Sequence, residues 1–262
     1  MSDINPLIEQ FDRDGFLVIP NALTKHEAEQ VRRGVERTFA QPDETANLYG
    51  GIAASWRPTM FERGEEFEAL VDNPRIIDIV EAILGNDCHL IAMSALKTGP
   101  GESVAPMFHV DETVRFPRPK DVPLDPRIPV PCSNLNLNYY LCDVDEELGP
   151  TQLVPTSHRS GRAPEPADHD KRGLPAYEGR HAVFATGEAG TAVMWHDQIW
   201  HRGAPNRSKD KIRWVQQSPY ASRFIAQRFR PFINYHFPDE ILARANPRRR
   251  RLFGDHPPGA YG

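Results

Sequence analysis

NLNLNYYL, residues 134–141, is the clearest strand signal in the chain, because it alternates amide and apolar side chains with a period of two. That period is the pattern of a β-strand, whose successive side chains point to opposite faces. Further strands are predicted at 88–97, 107–111, 191–195, 212–217 and 232–237. Short strands with few helices between them indicate a β-sandwich or barrel that carries its helices on the outside.

Two helices are predicted before this run of strands. Thr24 and Glu27 form a capping-box pattern, and apolar residues follow them at helical spacing. The second helix is expected to open at Asn73-Pro74, with proline at the first helical position, and to stop at Gly85. The predicted fold class is therefore mainly β with flanking helices.

The length and charge of the chain exclude some classes of protein. Its 262 residues can bury one substantial core, so residues 1–262 are expected to form a single domain. A net charge of −5 argues against a general nucleic-acid binder. We find no signal peptide and no apolar stretch of membrane-spanning length, which predicts a cytoplasmic protein without a membrane partner. The sequence leaves the oligomeric state open.

Neither the cysteines nor the basic run near the end of the chain indicates a special function. Cys88, Cys132 and Cys142 are too few and too scattered for a disulfide framework. They are expected to be small buried residues of a protein in a reducing compartment. Arg248–Arg251 is a run of four arginines. Such a run can bind phosphate or nucleic acid, but more often it is a solvated helix face or pairs with acidic neighbours. We favour the second interpretation.

His109 and Asp111, joined to the distant His201, form the candidate metal site. Residues i and i+2 of a strand point to the same side, so His109 and Asp111 can reach one ion. Two imidazoles and one carboxylate are the ligands that non-haem iron oxygenases place on one face of the metal. A turn rich in glycine, proline and asparagine follows His201, which predicts a strand end there. His196, beside Asp197, is the rival third ligand, and we favour His201.

Two long irregular segments interrupt the predicted strands. Residues 112–131 contain six prolines, and residues 161–180 are polar and contain proline and glycine. Loops of this length inside a compact domain are usually functional lids or mobile segments. Because the first loop directly follows the metal motif, we expect it to cover the site. The alternative is a surface insertion without a role in the chemistry.

Five segments resemble the phytanoyl-CoA dioxygenase family of iron(II)- and 2-oxoglutarate-dependent oxygenases. They are FDRDGFLVIPNAL (11–23), AILGNDCHLI (82–91), FHVDE (108–112), LCDVDEELGPTQLVPTSHRSG (141–161) and HRGAPNRSKDKIRW (201–214). Each segment alone is modest, but the five stand in the family's order and span most of the chain. The resemblance implies a double-stranded β-helix (jelly-roll, cupin-like) core. It also implies Fe(II) bound by His109, Asp111 and His201, with 2-oxoglutarate and O₂ as co-substrates.

The resemblance further implies a cation that binds the far carboxylate of 2-oxoglutarate deep in the barrel. Arginine suits this role because its guanidinium group binds a carboxylate through two hydrogen bonds. We choose Arg213, twelve positions after His201, although the family spacing is often one residue shorter and would fall on Ile212. Lys211 has the same strand parity and is the alternative, whereas Arg207 lies in the turn and should point outward.

Other polar residues are expected around the same site. Amides are costly in an apolar core unless they are hydrogen bonded, so Asn138, and with it Asn136, is expected to face the co-substrate or substrate. The alternative is a solvent-facing strand side. Lys97 is a further candidate partner for a carboxylate, unless it is an exposed lysine at a strand end. Three conspicuous residues are interpreted as structural, namely His158, Trp195 and Trp200.

The predicted reaction is hydroxylation, or another oxidation, of an unactivated C–H bond in a small molecule, with release of succinate and CO₂. Asp111 favours hydroxylation, since related halogenases have a small residue at that position, which leaves room for chloride. The rival is a cupin-like metal-binding protein or hydrolase that uses the same ligands without O₂ chemistry. An arginine that points at the metal would favour the oxygenase. The sequence leaves the substrate open, with secondary or small-molecule metabolism expected.

Overall fold

The computed structural model describes residues 3–42, 55–111, 117–119, 121–122, 124–125, 127–229 and 234–256. Its strands are β1 (Phe16–Ile19), β2 (Trp56–Pro58), β3 (His89–Leu90), β4 (Ser94–Thr98), β5 (Asn134–Tyr140), β6 (Thr151–Leu153), β7 (Ala176–Tyr177), β8 (Arg180–His181), β9 (Val183–Ala185), β10 (Ala192–His196), β11 (His201–Gly203), β12 (Arg213–Gln217) and β13 (Tyr220–Ala221). Its α-helices are α1 (Asn5–Asp14), α2 (Lys25–Phe39), α3 (Glu65–Val71), α4 (Ile77–Leu84), α5 (Asp239–Arg244) and α6 (Pro247–Leu252). The predicted class, mainly β with flanking helices, is confirmed.

Most strands belong to one antiparallel sheet. Its order is β1-β10-β5-β12-β4-β2, and β13 pairs with both β3 and β5. A smaller antiparallel sheet has the order β11-β6-β9. Residues of both sheets line one cavity, so the two sheets are the walls of the jelly-roll core that was predicted.

Strand β5, which contains the alternating asparagines, runs through the middle of the large sheet. It pairs with β10 on one side and with β12 and β13 on the other, and all seven of its residues are buried. Its apolar face, with Leu135, Leu137 and Tyr139, joins the core that packs against the helices. The opposite face carries the asparagines and Tyr140, which belongs to the core between the sheets.

The local signals of the helices were partly correct. The capping box is present, because Thr24 Oγ1 accepts the Glu27 N–H and Glu27 accepts the Thr24 N–H. Gly85 ends α4 with φ of 98°, as predicted. The expected start at Asn73-Pro74 is wrong, because the Asn73 side chain accepts the Arg75 N–H and holds a turn before the helix begins.

Three predicted strands differ in the structure. The segment 88–97 is divided between β3 and β4, because 91–93 leave the strand pairing. The segment 107–111 forms an isolated bridge rather than a regular strand. Of the predicted strand at 232–237, the first two residues lie outside the described residues, and 234–237 are not a strand. In the described part of the chain, no helix is long and apolar enough to cross a bilayer.

Candidate metal centre

Main-chain pairing brings the three predicted ligands together. His109 and His201 exchange two main-chain hydrogen bonds of 3.0 Å, and the Asp111 N–H donates to the Asp197 carbonyl at 3.0 Å. His201 begins β11 and pairs there with Leu153 of β6. The His-x-Asp motif is therefore fixed against the start of β11, although 107–111 is not a regular strand.

The side chains converge on a common point. Asp111 Oδ1 lies 3.5 Å from His109 Nε2 and 3.3 Å from His201 Nε2. Each imidazole uses its other nitrogen within its own segment: His109 Nδ1 contacts the Met107 carbonyl at 2.8 Å, and His201 Nδ1 contacts the Ile199 carbonyl at 3.0 Å. A carbonyl can only accept, so the proton of each neutral ring is assigned to Nδ1 and the Nε2 lone pair faces the carboxylate. This arrangement fits a divalent metal ion.

The second oxygen of Asp111 is held by two donors. Asn136 Nδ2 donates to Oδ2 at 2.5 Å, and Trp195 Nε1 donates to the same atom at 3.0 Å. Burial raises the pKa of Asp111, but the neighbouring His201 and His109 and the Trp195 hydrogen bond outweigh it and hold that pKa well below its usual range. The carboxylate is therefore an ionised ligand with a fixed orientation.

These contacts change the role of two residues. Asn136 was predicted to face the co-substrate, but its amide is committed to Asp111 and orients that ligand. Trp195 was predicted to be core packing; it is 2% exposed, yet it also donates to the same carboxylate. The signal lies in the register, since Trp195 stands opposite Asn136 in the β5–β10 pair. Only the pairing of the strands reveals that shared target.

Arg213 lines the same cavity as the three candidate ligands, a space of about 310 Å³. It begins β12 and is 4% exposed. Its Nη2 donates to Thr98 Oγ1 at 3.2 Å, while its Nε is buried without a hydrogen-bond partner. Burial lowers its pKa, but an arginine has so high a pKa that it stays protonated. A buried guanidinium with spare donors fits a carboxylate, as 2-oxoglutarate requires.

The other predicted anion partners lie in different environments. Asn138 lines the cavity and its buried Oδ1 has no hydrogen-bond partner, so its co-substrate contact stays a prediction. Lys97 does not fit its predicted role: Leu96 lines the cavity, so the next side chain points to the opposite face, where the Lys97 ammonium lies 5.8 Å from the Trp214 ring. Lys211, the alternative anchor, is exposed. Arg207 is exposed as predicted.

The rival ligand His196 lies in a different group. It stands with Cys132 and Asp197, apart from the triad, and its ring stacks on Phe11. His158 lies next to it and has the structural role that was predicted, because its Nε2 contacts the Asp12 carbonyl at 3.2 Å. Trp200 is fully buried and donates to a carbonyl at 2.7 Å.

The two predicted loops contact each other, and the basic run lies on a helix. Residues 112–116 of the first predicted lid lie outside the described residues. The two loops touch where the Arg118 N–H donates to the Gly161 carbonyl at 3.2 Å, while the covering role stays a prediction. The second loop contains the hairpin of β7 and β8. The arginine run lies in α6, where Arg248, Arg249 and Arg251 pair with acidic residues, as the favoured interpretation predicted.

Comparison with known proteins identifies the family. The model of the phytanoyl-CoA dioxygenase (PhyH) family matches residues 11–215, which is most of the chain and contains all three candidate ligands. The chain belongs to the phytanoyl-CoA dioxygenase family. The predicted family is therefore confirmed, and with it the class of enzyme, a dioxygenase that depends on non-haem iron and 2-oxoglutarate. The rival cupin-like hydrolase is not supported.

Two relatives of this chain are named for oxidations of small molecules. The chain is 24% identical over 238 residues to L-proline trans-4-hydroxylase of Streptomyces griseoviridis, covering 80% of this chain and 85% of that one. It is 26% identical over 234 residues to ectoine dioxygenase of Stutzerimonas stutzeri (strain A1501), covering 74% and 69%. At this level of identity the substrate of a relative does not identify the substrate of this chain.

Solved structures share the fold. The epimerase SnoN, in complex with Fe³⁺, alpha-ketoglutarate and nogalamycin RO, matches with a TM-score of 0.61 and 21% identity over 86% of each chain. HygX from Streptomyces hygroscopicus, with nickel and 2-oxoglutarate bound, matches with a TM-score of 0.63 and 18% identity over 86% of this chain and 89% of that one. The predicted jelly-roll core is thereby confirmed.

Proposed function

We propose that this member of the family hydroxylates an unactivated C–H bond of a small molecule at an Fe(II) ion bound by His109, Asp111 and His201. One observation carries the proposal: the three ligands and the buried Arg213 line the same cavity of about 310 Å³. The co-substrate 2-oxoglutarate needs both groups: its oxo-acid end binds the metal ion, and its far carboxylate needs a cation. Residues 1–262 are taken as one catalytic domain.

Each residue has a task that follows from its contacts. His109 and His201 supply neutral nitrogen donors, and Asp111 supplies the negative charge that Asn136 and Trp195 hold in place. Bound Fe(II) with 2-oxoglutarate supplies the oxidation, in which O₂ gives one oxygen atom to succinate and the other to the substrate, with loss of CO₂.

Arg213 is proposed to bind the far carboxylate of 2-oxoglutarate. Its guanidinium group has an unpaired Nε and only one hydrogen bond of its own, to Thr98. A charge in this position is costly unless an anion joins it. Apolar side chains such as Leu96 and Val104 complete the cavity and limit the access of water, which strengthens the ionic contact.

The substrate is proposed to be a small molecule. The relatives named for L-proline and ectoine act on compounds of that size. The carboxylate at Asp111 supports hydroxylation, since it occupies the position that chloride would need. The enzyme is proposed to act in the cytoplasm, where free thiols such as those of the three cysteines stay reduced.

Uncoupled turnover tests this function without knowledge of the substrate. The full chain is incubated with Fe(II), 2-oxoglutarate and ascorbate under air, and succinate is measured. We expect slow succinate release by the wild type and none above background by His109→Ala or Asp111→Ala. The matched control is His26→Ala, an exposed histidine of α2, which should behave as the wild type. Unchanged turnover in the two ligand variants would disprove the metal assignment.

A further inference from the structure

A second cavity, of about 420 Å³, has a different lining from the metal cavity and includes Asp197, whose carbonyl accepts the Asp111 N–H. Leu124, Ile128, Val130 and Phe224 are apolar residues of its lining. Ile128 is 54% exposed and Phe224 is 73% exposed. Large apolar side chains that stay exposed around a concave surface are typical of a ligand-binding site.

The same cavity carries polar atoms that lack partners. Arg118 Nη1, Asp197 Oδ1 and Gln198 Oε1 are buried without a hydrogen bond, and all three residues line the cavity. Buried polar atoms are almost always paired in folded proteins, because an unpaired group loses its hydration without compensation. Three such atoms around one cavity therefore indicate a ligand that carries both donors and acceptors.

Asp197 has the strongest need for a positive partner. It is 2% exposed, so bulk water does not screen its charge. Its Oδ2 accepts a hydrogen bond of 3.3 Å from the neutral Gln198 amide, Nε2, which leaves the charge uncompensated. Its Oδ1 lies 2.9 Å from His196 Nδ1, but that nitrogen accepts the Gln198 N–H at 3.0 Å. A neutral imidazole therefore offers this carboxylate a lone pair rather than a proton. A cationic group on the ligand would satisfy it.

Arg118 provides the opposite charge. Although Arg118 and Asp197 line one cavity, the described residues contain no ion pair between them. Arg159 also lines the cavity and uses Nη2 for the Asp125 carbonyl. An anion would join the arginine side and would be repelled by Asp197, so a ligand with two opposite charges satisfies both sides.

Main-chain hydrogen bonds connect one wall residue of the cavity with the metal centre. The Asp197 carbonyl accepts the Asp111 N–H, and the Asp197 N–H donates to the Asn134 carbonyl at 3.2 Å on the strand that holds Asn136. One wall residue of the cavity thus shares main-chain hydrogen bonds with a metal ligand and with β5. A ligand held here is positioned by the same segments that position the metal ligands.

We propose that this cavity holds the substrate, and that the substrate is an α-amino acid with an apolar side chain. Its carboxylate pairs with Arg118, its ammonium group pairs with Asp197 and Gln198, and its side chain contacts the apolar residues of the lining. This inference rests on the proposed dioxygenase function and names the class of its substrate. It also predicts that both charges of the amino acid are required.

Analogues that lack one charged group test the contribution of each charge of the amino acid to binding. Binding of L-leucine, L-isoleucine, L-methionine and L-phenylalanine to the full chain with Fe(II) and 2-oxoglutarate is measured by calorimetry under nitrogen. Each bound amino acid is compared with its analogue that lacks the amine and its analogue that lacks the carboxylate, such as 4-methylpentanoate and isopentylamine for leucine. We expect either loss to weaken binding by about tenfold or more.

Two variants test the residues. Arg118→Gln should weaken leucine and 4-methylpentanoate but leave isopentylamine unchanged, whereas Asp197→Asn should weaken leucine and isopentylamine but leave 4-methylpentanoate unchanged. The control is Arg127→Gln in the same loop, whose side chain is 87% exposed and pairs with Asp125; it should bind all three ligands as the wild type does. Circular dichroism and the unfolding midpoint verify that each variant is folded.

Several outcomes would overturn the inference. It fails if none of the four amino acids binds, if the three matched ligands bind equally, or if both variants leave their affinities unchanged. Binding that does not accelerate succinate release under air would show that the cavity is not the substrate site. If the Asp197→Asn variant binds one metal ion fewer than the wild type, Asp197 is instead a ligand of a second metal ion, together with Cys132 and His196. The proposed function fails separately, through absent uncoupled turnover of the wild type.

Discussion

Replacing Arg213 with methionine is expected to weaken 2-oxoglutarate binding and, at the same time, to stabilise the protein in the absence of that co-substrate. Both effects have one physical cause. The guanidinium group is 4% exposed, has one hydrogen bond to Thr98 and has an unpaired Nε. Folding therefore pays for the burial of a charge that only the bound carboxylate can compensate.

The two magnitudes follow from this environment. Loss of one partner from a buried, hydrogen-bonded charge pair costs about 2–5 kcal/mol, or roughly 30- to 5,000-fold in Kd. Replacement of a buried charge by an apolar side chain of similar volume stabilises by about 1–4 kcal/mol. For a chain of 262 residues, each kcal/mol raises Tm by about 2–4 °C.

The assay has two parts. Binding of 2-oxoglutarate to the Fe(II)-loaded full chain is measured by calorimetry under nitrogen, and thermal unfolding is followed without 2-oxoglutarate. Arg207→Met, an exposed arginine in the turn before β12, is the control and should change neither quantity. Wild-type affinity for 2-oxoglutarate in Arg213→Met would refute the anchor. A lower Tm in that variant would show that burial of the guanidinium group does not destabilise the folded protein.

Three further predictions concern single side chains. Gly15→Ala should destabilise the protein by about 2 kcal/mol or more, since Gly15 has φ of 81° and an added Cβ would lie 2.4 Å from His158 Nδ1. The control is Gly101→Ala, where φ is 77° but the space around the glycine is open. It should cost only about 1 kcal/mol in the same denaturation series. Asn136→Ala should weaken Fe(II) binding by about 10- to 100-fold in equilibrium dialysis, because Asp111 loses an orienting donor; unchanged affinity would contradict that role. Burial and neighbouring His196 lower the pKa of His158 to about 3 from 6.5, so the unfolded state binds the proton first as the pH falls. The free energy of unfolding should then drop by about 1.4 kcal/mol per pH unit from about pH 6.5 to 3, and a matching slope in His158→Gln would count against this.

Local patterns predicted the elements whose physics is local. The alternation of 134–141 predicted β5, and the capping box of Thr24 and Glu27 predicted the start of α2. The start of α4 was wrong because a side-chain hydrogen bond from the Asn73 turn competes with the helix. The helices α1, α3, α5 and α6 were not predicted. Local signals were present in two of them, since α1 has proline in its first turn and a left-handed Gly15 at its end, and α6 has Asn246 as its N-cap.

The candidate site divides in the same way. Spacing, parity and the order of the family motifs were sufficient to predict that His109, Asp111 and Arg213 line one cavity, while their roles as ligands and anchor stay predictions. These patterns were insufficient for Asn136 and Lys97. The predicted contact of each depends on which face of the sheet meets the cavity and on what lies opposite.

Residue type, spacing and strand period were enough to predict the family, the jelly-roll class and three side chains suited to bind one metal ion. Three relations became visible only in the folded chain: Trp195 and Asn136 both hold Asp111, His196 belongs to a separate group, and Arg118 and Asp197 line one cavity. Those relations join residues that lie far apart in the chain. Strand register and loop packing set their distances, and no local pattern of residues encodes them.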